Sequence, residues 1–243
     1  MRRYRVTASA LNVRRGPGTN YRRMGRLRRG QVVEPVDAPG WLPVMLRDGR
    51  VGWVSARYLE GLPEAPKPGP EPEYDFSTKR GTVEAIKAEC RWQGLGLPAQ
   101  IAYVLATVEW ETARKFRPVR EAFWLSESWR RHLRYYPYYG RGYVQLTWKE
   151  NYEKYTAKLR ERFPERAAEI DLVADPDQAM VPEYALFILV DGFRTGTFTG
   201  RKIEDYINAE RTDFINARRC INALDRAEEI AALAEGWFET VRA

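Results

Sequence analysis

Along the first sixty residues, apolar and polar positions alternate in short runs, at 4–8, 11–13, 31–36, 41–46 and 51–54. Each run is bounded by turn-forming sequence, RRGPGTNY, DAPG or RDGR, in which glycine and proline sit where turns require them. Short strands at this spacing predict a small all-β barrel over residues 1–62. The pattern stops in residues 63–75, where PEAPKPGPEPEY repeats proline every few positions with acids between, predicting an extended, semi-rigid linker. From residue 76 the apolar spacing lengthens to that of helices, predicted at 79–92, 98–113, 120–132, 148–163, 182–194, 202–209, 212–222 and 225–241. Pro98, Pro176 and Pro182 suit first-turn positions. Ile101, Val104, Leu105 and Val108 share one face of the second helix, and Ile230, Leu233, Ala234, Trp237 and Val241 share one face of the last. The pattern as a whole predicts two domains, a small barrel followed by an all-α domain over 76–243.

Composition sharpens this picture. A chain of 243 residues, 44% hydrophobic and 13% aromatic, can bury two cores. Its net charge of +7 is unevenly placed: residues 1–62 carry 13 basic and 4 acidic side chains, the remainder 27 and 29. A basic N-terminal domain seeks a polyanion, whether nucleic acid, acidic lipid or an anionic cell-wall polymer. The longest apolar run, near 185–190, is far shorter than the roughly 20 residues of a membrane span, so no membrane insertion is expected. The first residues lack the apolar core of a secretory signal, which predicts synthesis in the cytoplasm and another route for any action outside. Cys90 and Cys220 read as buried thiols, not as a disulfide framework. His132, the single histidine, excludes a zinc hydrolase built on several His ligands, and neither thiol has the local sequence of an activated nucleophile. It stands among Arg130, Arg131 and Arg134 as a solvated helix face, and no metal or cofactor is expected.

Residues 135–152, YYPYYGRGYVQLTWKENY, combine tyrosines 135, 136, 138, 139, 143 and 152 with Gly140 and Gly142 around Arg141, then Gln145, Thr147 and Asn151. Rings with hydroxyls and amides in one segment suit a cleft that stacks on sugar faces and hydrogen-bonds their substituents, although a tyrosine-rich surface loop has the same composition. Within it, GRGYVQLTWKENY resembles the GRG(P/F)(I/V)QL(S/T)xxxNY segment of glycoside hydrolase family 19, the chitinases and related phage endolysins. The resemblance implies a lysozyme-like helical domain whose cleft is lined by this stretch, beside two catalytic carboxylates. In the N-terminal domain, LNVRRGPGTNY and GWVSARYL resemble the bacterial SH3-like domain. That likeness nominates Asn12, Arg14, Tyr21, Trp41, Trp53 and Tyr58 as wall-ligand contacts, while Trp41 and Trp53 equally suit the barrel core.

Glycoside hydrolysis needs one carboxylic acid to protonate the leaving oxygen and a second carboxylate on the other side of the bond. Glu109 and Glu111 close the helix 98–113 on opposite flanks of its apolar stripe, and the helical wheel does not choose between them. ATVEWETA is similar to the family's HET segment, which implies that Glu111 is the general acid, with Trp110 standing where the family has histidine. By the same resemblance Glu121, in VREAF, is the second carboxylate; Glu127 takes its place if the loop 113–120 folds outward. Thr147 then helps hold a water, Gln145, Asn151 and Tyr139 bind substrate, and Arg141 braces the loop or a carboxylate at the edge of the substrate site. NARRCINALD resembles the family's ING-containing segment and maps its cleft asparagine onto Asn222, which would otherwise be a helix cap ahead of Asp225. Together these likenesses imply a monomeric hydrolase of β-1,4-linked, N-acetylglucosamine-containing glycan, peptidoglycan before chitin, acting with inversion and released through a holin. A chitinase and a non-catalytic binder of wall polymer or nucleic acid are the alternatives.

Overall fold

The computed structural model of the protein describes residues 4–33, 40–45, 50–61 and 72–242. The chain divides into two compact units between Lys67 and Pro68. Residues 63–71 of the predicted linker and the ends of two predicted strands, at 34–36 and 46, lie outside the described residues.

Every strand of the N-terminal unit owes its place to small aliphatic residues turned to one side. The strands are β1 (Tyr4–Val6), β2 (Ala10–Arg14), β3 (Arg23–Arg28), β4 (Val32–Val33), β5 (Trp41–Met45), β6 (Val51–Ser55) and β7 (Leu59–Gly61). They pair antiparallel in two sheets, ordered β4-β1-β7 and β3-β2-β6-β5. The core is aliphatic: Val6, Leu11, Val13, Leu27, Val33, Leu42, Val44 and Val54. Trp41 and Trp53 are only partly buried and stand outside it, which corrects their reading as barrel core. The strand alternation explains this, because Gly52 and Val54 are the buried positions of β6 and leave Trp53 on the outer face. Gly52 is required there, since a Cβ would overlap Cγ1 of Val13.

The C-terminal unit is helical, as its sequence pattern predicts. It comprises α1 (Lys79–Trp92), α2 (Pro98–Glu111), α3 (Glu127–Arg130), α4 (Lys149–Arg162), α5 (Pro182–Thr195), α6 (Phe214–Ala217) and α7 (Ala227–Arg242). The hydroxyl of Thr78 caps α1 by accepting from the Gly81 amide, and Pro98 and Pro182 open α2 and α5. Helix α2 is buried from Ala99 to Val108, lying along α7 with α1 and α5 against its other sides. No helix among the described residues is long and apolar enough to cross a membrane.

Three predicted helices shrink. Of 120–132 only α3 is α-helical, 202–209 keeps a single 3-10 turn at Ile203–Asp205, and 212–222 becomes α6 followed by a 3-10 turn at Arg218–Cys220. The first loses its opening turns to a two-stranded ribbon of β8 (Val119–Arg120) and β9 (Arg141–Gly142), an addition to the all-α prediction. The ribbon continues past β8, where the Glu121 amide donates to the Gly140 carbonyl at 2.7 Å. Cys90 and Cys220 are buried free thiols, and burial pushes the Cys220 thiol up to about 12.

Candidate active site

The last turn of α2 emerges from the core and separates the two carboxylates that the helical wheel leaves equivalent. Glu109 Oε2 accepts from the Trp237 indole of α7 at 2.7 Å, so this carboxylate fastens α2 to α7. Glu111 Oε1 accepts from Arg218 Nη1 at 2.8 Å. The Arg218 side chain is only 4% exposed, and its Nε donates to the Asp225 carbonyl at 3.1 Å. Sequence reasoning misses Arg218: it lies 107 positions from Glu111 in a chain rich in arginine, and no local pattern marks the pair. Asn222 follows on the same turn, its amide donating to the Arg218 carbonyl at 3.0 Å. It is exposed, with Oδ1 accepting from the Ala223 amide at 2.8 Å, and it does not cap α7, which begins at Ala227.

A constrained loop leads from Glu111 to Glu121. Thr112 donates its hydroxyl proton to the Val108 carbonyl at 2.6 Å and accepts from the Phe116 amide at 3.1 Å. Around it Ala113, Arg114 and Phe116 hold left-handed φ of 47°, 64° and 50°. Beyond β8 the Glu121 carboxylate accepts from Tyr135 Oη at 2.7 Å and from the Gly140 amide at 2.9 Å. Burial and this bond to Glu121 push the Tyr135 phenol up to about 12. Gln145 lies against Gly140 and donates to the Val119 carbonyl at 3.4 Å. Thr147 donates to the Gln145 carbonyl at 2.7 Å, and Asn151 Nδ2 to the Thr147 carbonyl at 2.9 Å. Gln145, Thr147 and Asn151 thus form one hydrogen-bonded run that reaches the Glu121 cluster where Gln145 lies against Gly140, and Asn222 is tied by its backbone to Arg218, the partner of Glu111. Ala122, Gln145 and Trp148 are also left-handed, so among the described non-glycine residues every positive φ but that of Arg226 falls in this region. Such conformations cost about 1–3 kcal/mol each and cluster where function over-determines the backbone.

The tyrosine-rich stretch divides between surface and core. Tyr139, Tyr143 and Tyr152 are fully buried, which corrects the expectation that so many hydroxyls mark a cleft. Tyr139 donates to Glu127 at 3.0 Å and Tyr152 to the Tyr139 carbonyl at 2.7 Å, so these hydroxyls are satisfied indoors. Arg141 is buried with them: Nη1 donates to the Pro137 carbonyl at 2.8 Å, Nε to Asp177 at 2.8 Å, and its guanidinium lies 3.7 Å over the Tyr139 ring. Arg141 therefore braces the loop and the Asp177 carboxylate, as expected of it, while Tyr139, expected to bind substrate, has its hydroxyl engaged by Glu127. Burial opposes the charge of Asp177, but hydrogen bonds from Arg120 and Arg141 hold its carboxyl below the usual carboxylate range.

Exposed rings come instead from Trp110, Trp124, Trp129, Tyr136 and Trp148, with Trp124 73% exposed. Trp148 meets Tyr135 edge-on at 5.0 Å, which carries an exposed indole to the Glu121 cluster. A sequence signal exists for Trp110, Trp129 and Trp148, each set among polar neighbours, but not for Trp124, which Phe123 and Leu125 flank. A groove of about 1020 Å³ lined by Arg120, Tyr136, Tyr139, Arg141, Asp177 and Glu127 contains neither Glu111 nor Glu121, but does hold Glu127, the alternative second carboxylate.

In the N-terminal unit the outer face of the four-stranded sheet brings several nominated contacts together. Arg14 stands opposite Trp53, Trp53 opposite Pro43, and Trp41 opposite Ser55, while Asn12 lies two residues from Arg14 on the same face. Arg14 Nη1 donates to the Tyr21 carbonyl at 2.7 Å, and the exposed Tyr21 ring closes over Gly16. Tyr58, also exposed, lies on the 3-10 turn Ala56–Tyr58 between β6 and β7. Residues 9–60 match the family model of the bacterial SH3 domain. The SH3 domain therefore accounts for the first unit from just before β2 into β7. No curated protein matches the chain.

Proposed function

We propose that the protein is a cell-wall glycan hydrolase that cleaves β-1,4 bonds of an N-acetylglucosamine-containing polymer, peptidoglycan by preference, with its SH3 domain holding the wall. The observation that carries this is the pair of differently held carboxylates at the two ends of one constrained loop: Glu111 against a buried guanidinium, Glu121 against an amide and a phenol. The resemblance of GRGYVQLTWKENY to glycoside hydrolase family 19 supports the same reading.

In this mechanism Arg218 fixes Glu111 through Oε1 and leaves Oε2 to carry the proton to the glycosidic oxygen. Glu121 accepts hydrogen bonds on both oxygens, keeps further lone pairs for a water, and orients that water on the opposite face of the ring. The Thr147 hydroxyl, whose proton is committed to the Gln145 carbonyl, still accepts from the same water. Gln145, Asn151 and Asn222 contact the sugar, and Trp148 supplies a ring to stack on it. Trp110 takes the place of a polar neighbour beside the acid. Delivery across the membrane by a holin-type partner and action as a monomer belong to this proposal.

A chitin substrate is the second reading, favoured by the exposed rings of Trp110, Trp124 and Trp148, which stack on sugars whether or not a peptide is attached. Digestion of purified sacculi followed by muropeptide analysis tests the bond. New reducing ends are expected; free amino termini or cleaved lactyl amides would reject the glycosidase.

A further inference from the structure

The β2·β3 face of the SH3 domain carries more positive charge than its own fold neutralises. Across this pairing Arg14 stands opposite Arg23, Asn12 opposite Arg26 and Ala10 opposite Arg28. Leu11, Val13 and Leu27 are the buried positions, so Arg14, Arg26 and Arg28 take the outer face, and an irregularity between Val13 and Arg14 pairs Arg23 with Arg14 on the same side. Arg23, Arg26, Arg28 and the following Arg29 are exposed. Among the described residues of this unit the one carboxylate is Glu60, on β7 of the other sheet, and none of these arginines makes an ion pair. Like charges directly opposite one another on a sheet destabilise it. An acid at any of these exposed positions would relieve the repulsion at no cost to the core, so the ladder has no structural justification of its own.

Its geometry suits a linear polyanion. Same-face neighbours on a strand recur about every 6.8 Å, twice the rise per residue. Arg26 and Arg28 thus present guanidinium groups in register along β3, with Arg14 and Arg23 continuing the row. Ser9, Ala10, Arg26, Arg28 and Arg29 border a depression of about 640 Å³, in which a small side chain and a hydroxyl sit between the cations. A guanidinium fork pairs two donors with one phosphate, and weak hydration makes it the favoured partner for that group. Strand β3, RMGRLR, has no aromatic residue on which bases could stack; Trp53, opposite Arg14 on the same face, stands beyond β2 from the row of β3.

We propose that the β2·β3 arginine ladder binds a phosphodiester polymer of the bacterial wall, running along β3. This rests on the wall-binding half of the proposed function and is independent of which bond the helical unit cuts.

The test is sedimentation of the full chain, carrying Glu111→Gln to prevent digestion, with sacculi that are intact or stripped of phosphodiester polymers by hydrofluoric acid. Stripping should weaken binding by about tenfold or more, and log affinity should fall linearly with log salt. Replacing Arg26→Gln and Arg28→Gln together should reduce the magnitude of that slope by about 1.4, at ~0.7 per phosphate contact. Arg26→Lys with Arg28→Lys keeps the charge and should retain the slope, which separates electrostatic loss from misfolding. Equal binding to stripped sacculi, or an unchanged slope in the glutamine variant, would overturn the proposal. So would tighter binding to duplex DNA than to intact sacculi at the same ionic strength. Sedimentation needs no turnover, so an inactive helical unit would leave this result readable.

Discussion

Glu111 depends on a single guanidinium for its position, and Arg218 is almost entirely enclosed while holding it. Removing one partner of such a pair strands the other charge, so Arg218→Ala should lower both the melting temperature and turnover. Because displacement of a reacting group by about 1 Å costs on the order of a hundredfold, kcat should fall by about that factor in Arg218→Lys, with KM little changed. Steady-state kinetics on a soluble glycan checks this, and full kcat in Arg218→Ala would remove Arg218 from the account. Asp177 supplies a pH dependence. Hydrogen bonds from Arg120 and Arg141 depress its folded-state value below the ordinary 3.8. Its stabilisation is therefore complete above that ordinary value and lost as pH falls through the lower folded one. Thermal melts below about pH 4 should fall more steeply for the native chain than for Asp177→Asn, which lacks the contribution throughout. Parallel acid limbs would show that the brace is not carried by this carboxylate. At this scale the helical wheel leaves Glu109 and Glu111 equivalent; the HET-like segment points to Glu111, and the two are held apart by different tertiary partners, Trp237 and Arg218.

Elements are legible wherever local chemistry decides them. α1 begins and ends as predicted because Thr78 caps it, and α2 and α5 start on prolines that suit a first turn. The predicted helix at 120–132 fails because its first residues answer to a distant strand: Val119 pairs with Gly142, and the Glu121 carboxylate reaches the Gly140 amide. Periodicity within one segment carries no trace of such a partner. β3 escapes the pattern for another reason, since its arginines hide a strand in which only Leu27 is buried. The buried tyrosines mislead because a satisfied hydroxyl and a ligand-facing one look alike in sequence. In the SH3 domain the approach of β2 to β6 at Gly52 makes a direct prediction. Gly52→Ala drives a Cβ into Val13, and overpacking of this kind costs about 1–3 kcal/mol. Thermal or denaturant melts of the full chain should show the loss in the first unit's transition; an unchanged transition would contradict the packing described.

The whole molecule joins an arginine-rich SH3 domain to a near-neutral helical unit, and the split in charge is legible from residue counts alone. Division into two compact units between Lys67 and Pro68 falls within the proline-rich stretch. The candidate site is legible in part. Glu111, Glu121, Gln145, Thr147 and Asn151 lie on contiguous motifs, whereas Arg218 and the exposed tryptophans depend on how distant segments meet. Both carboxylates must act on one bond for the proposed chemistry, and they are moored separately, Glu111 by Arg218 at the end of α2 and Glu121 by Gly140 on the β8·β9 ribbon; inversion further requires room for a water between acid and base. The stereochemistry of the first product tests that pairing most directly. Proton NMR of a soluble β-linked N-acetylglucosamine oligosaccharide, recorded before mutarotation, should show the α-anomer forming first, and Glu121→Gln should abolish it. A β-anomer formed first would mean retention and remove Glu121 from its role, and an unaltered rate in Glu121→Gln would contradict the paired-carboxylate account itself.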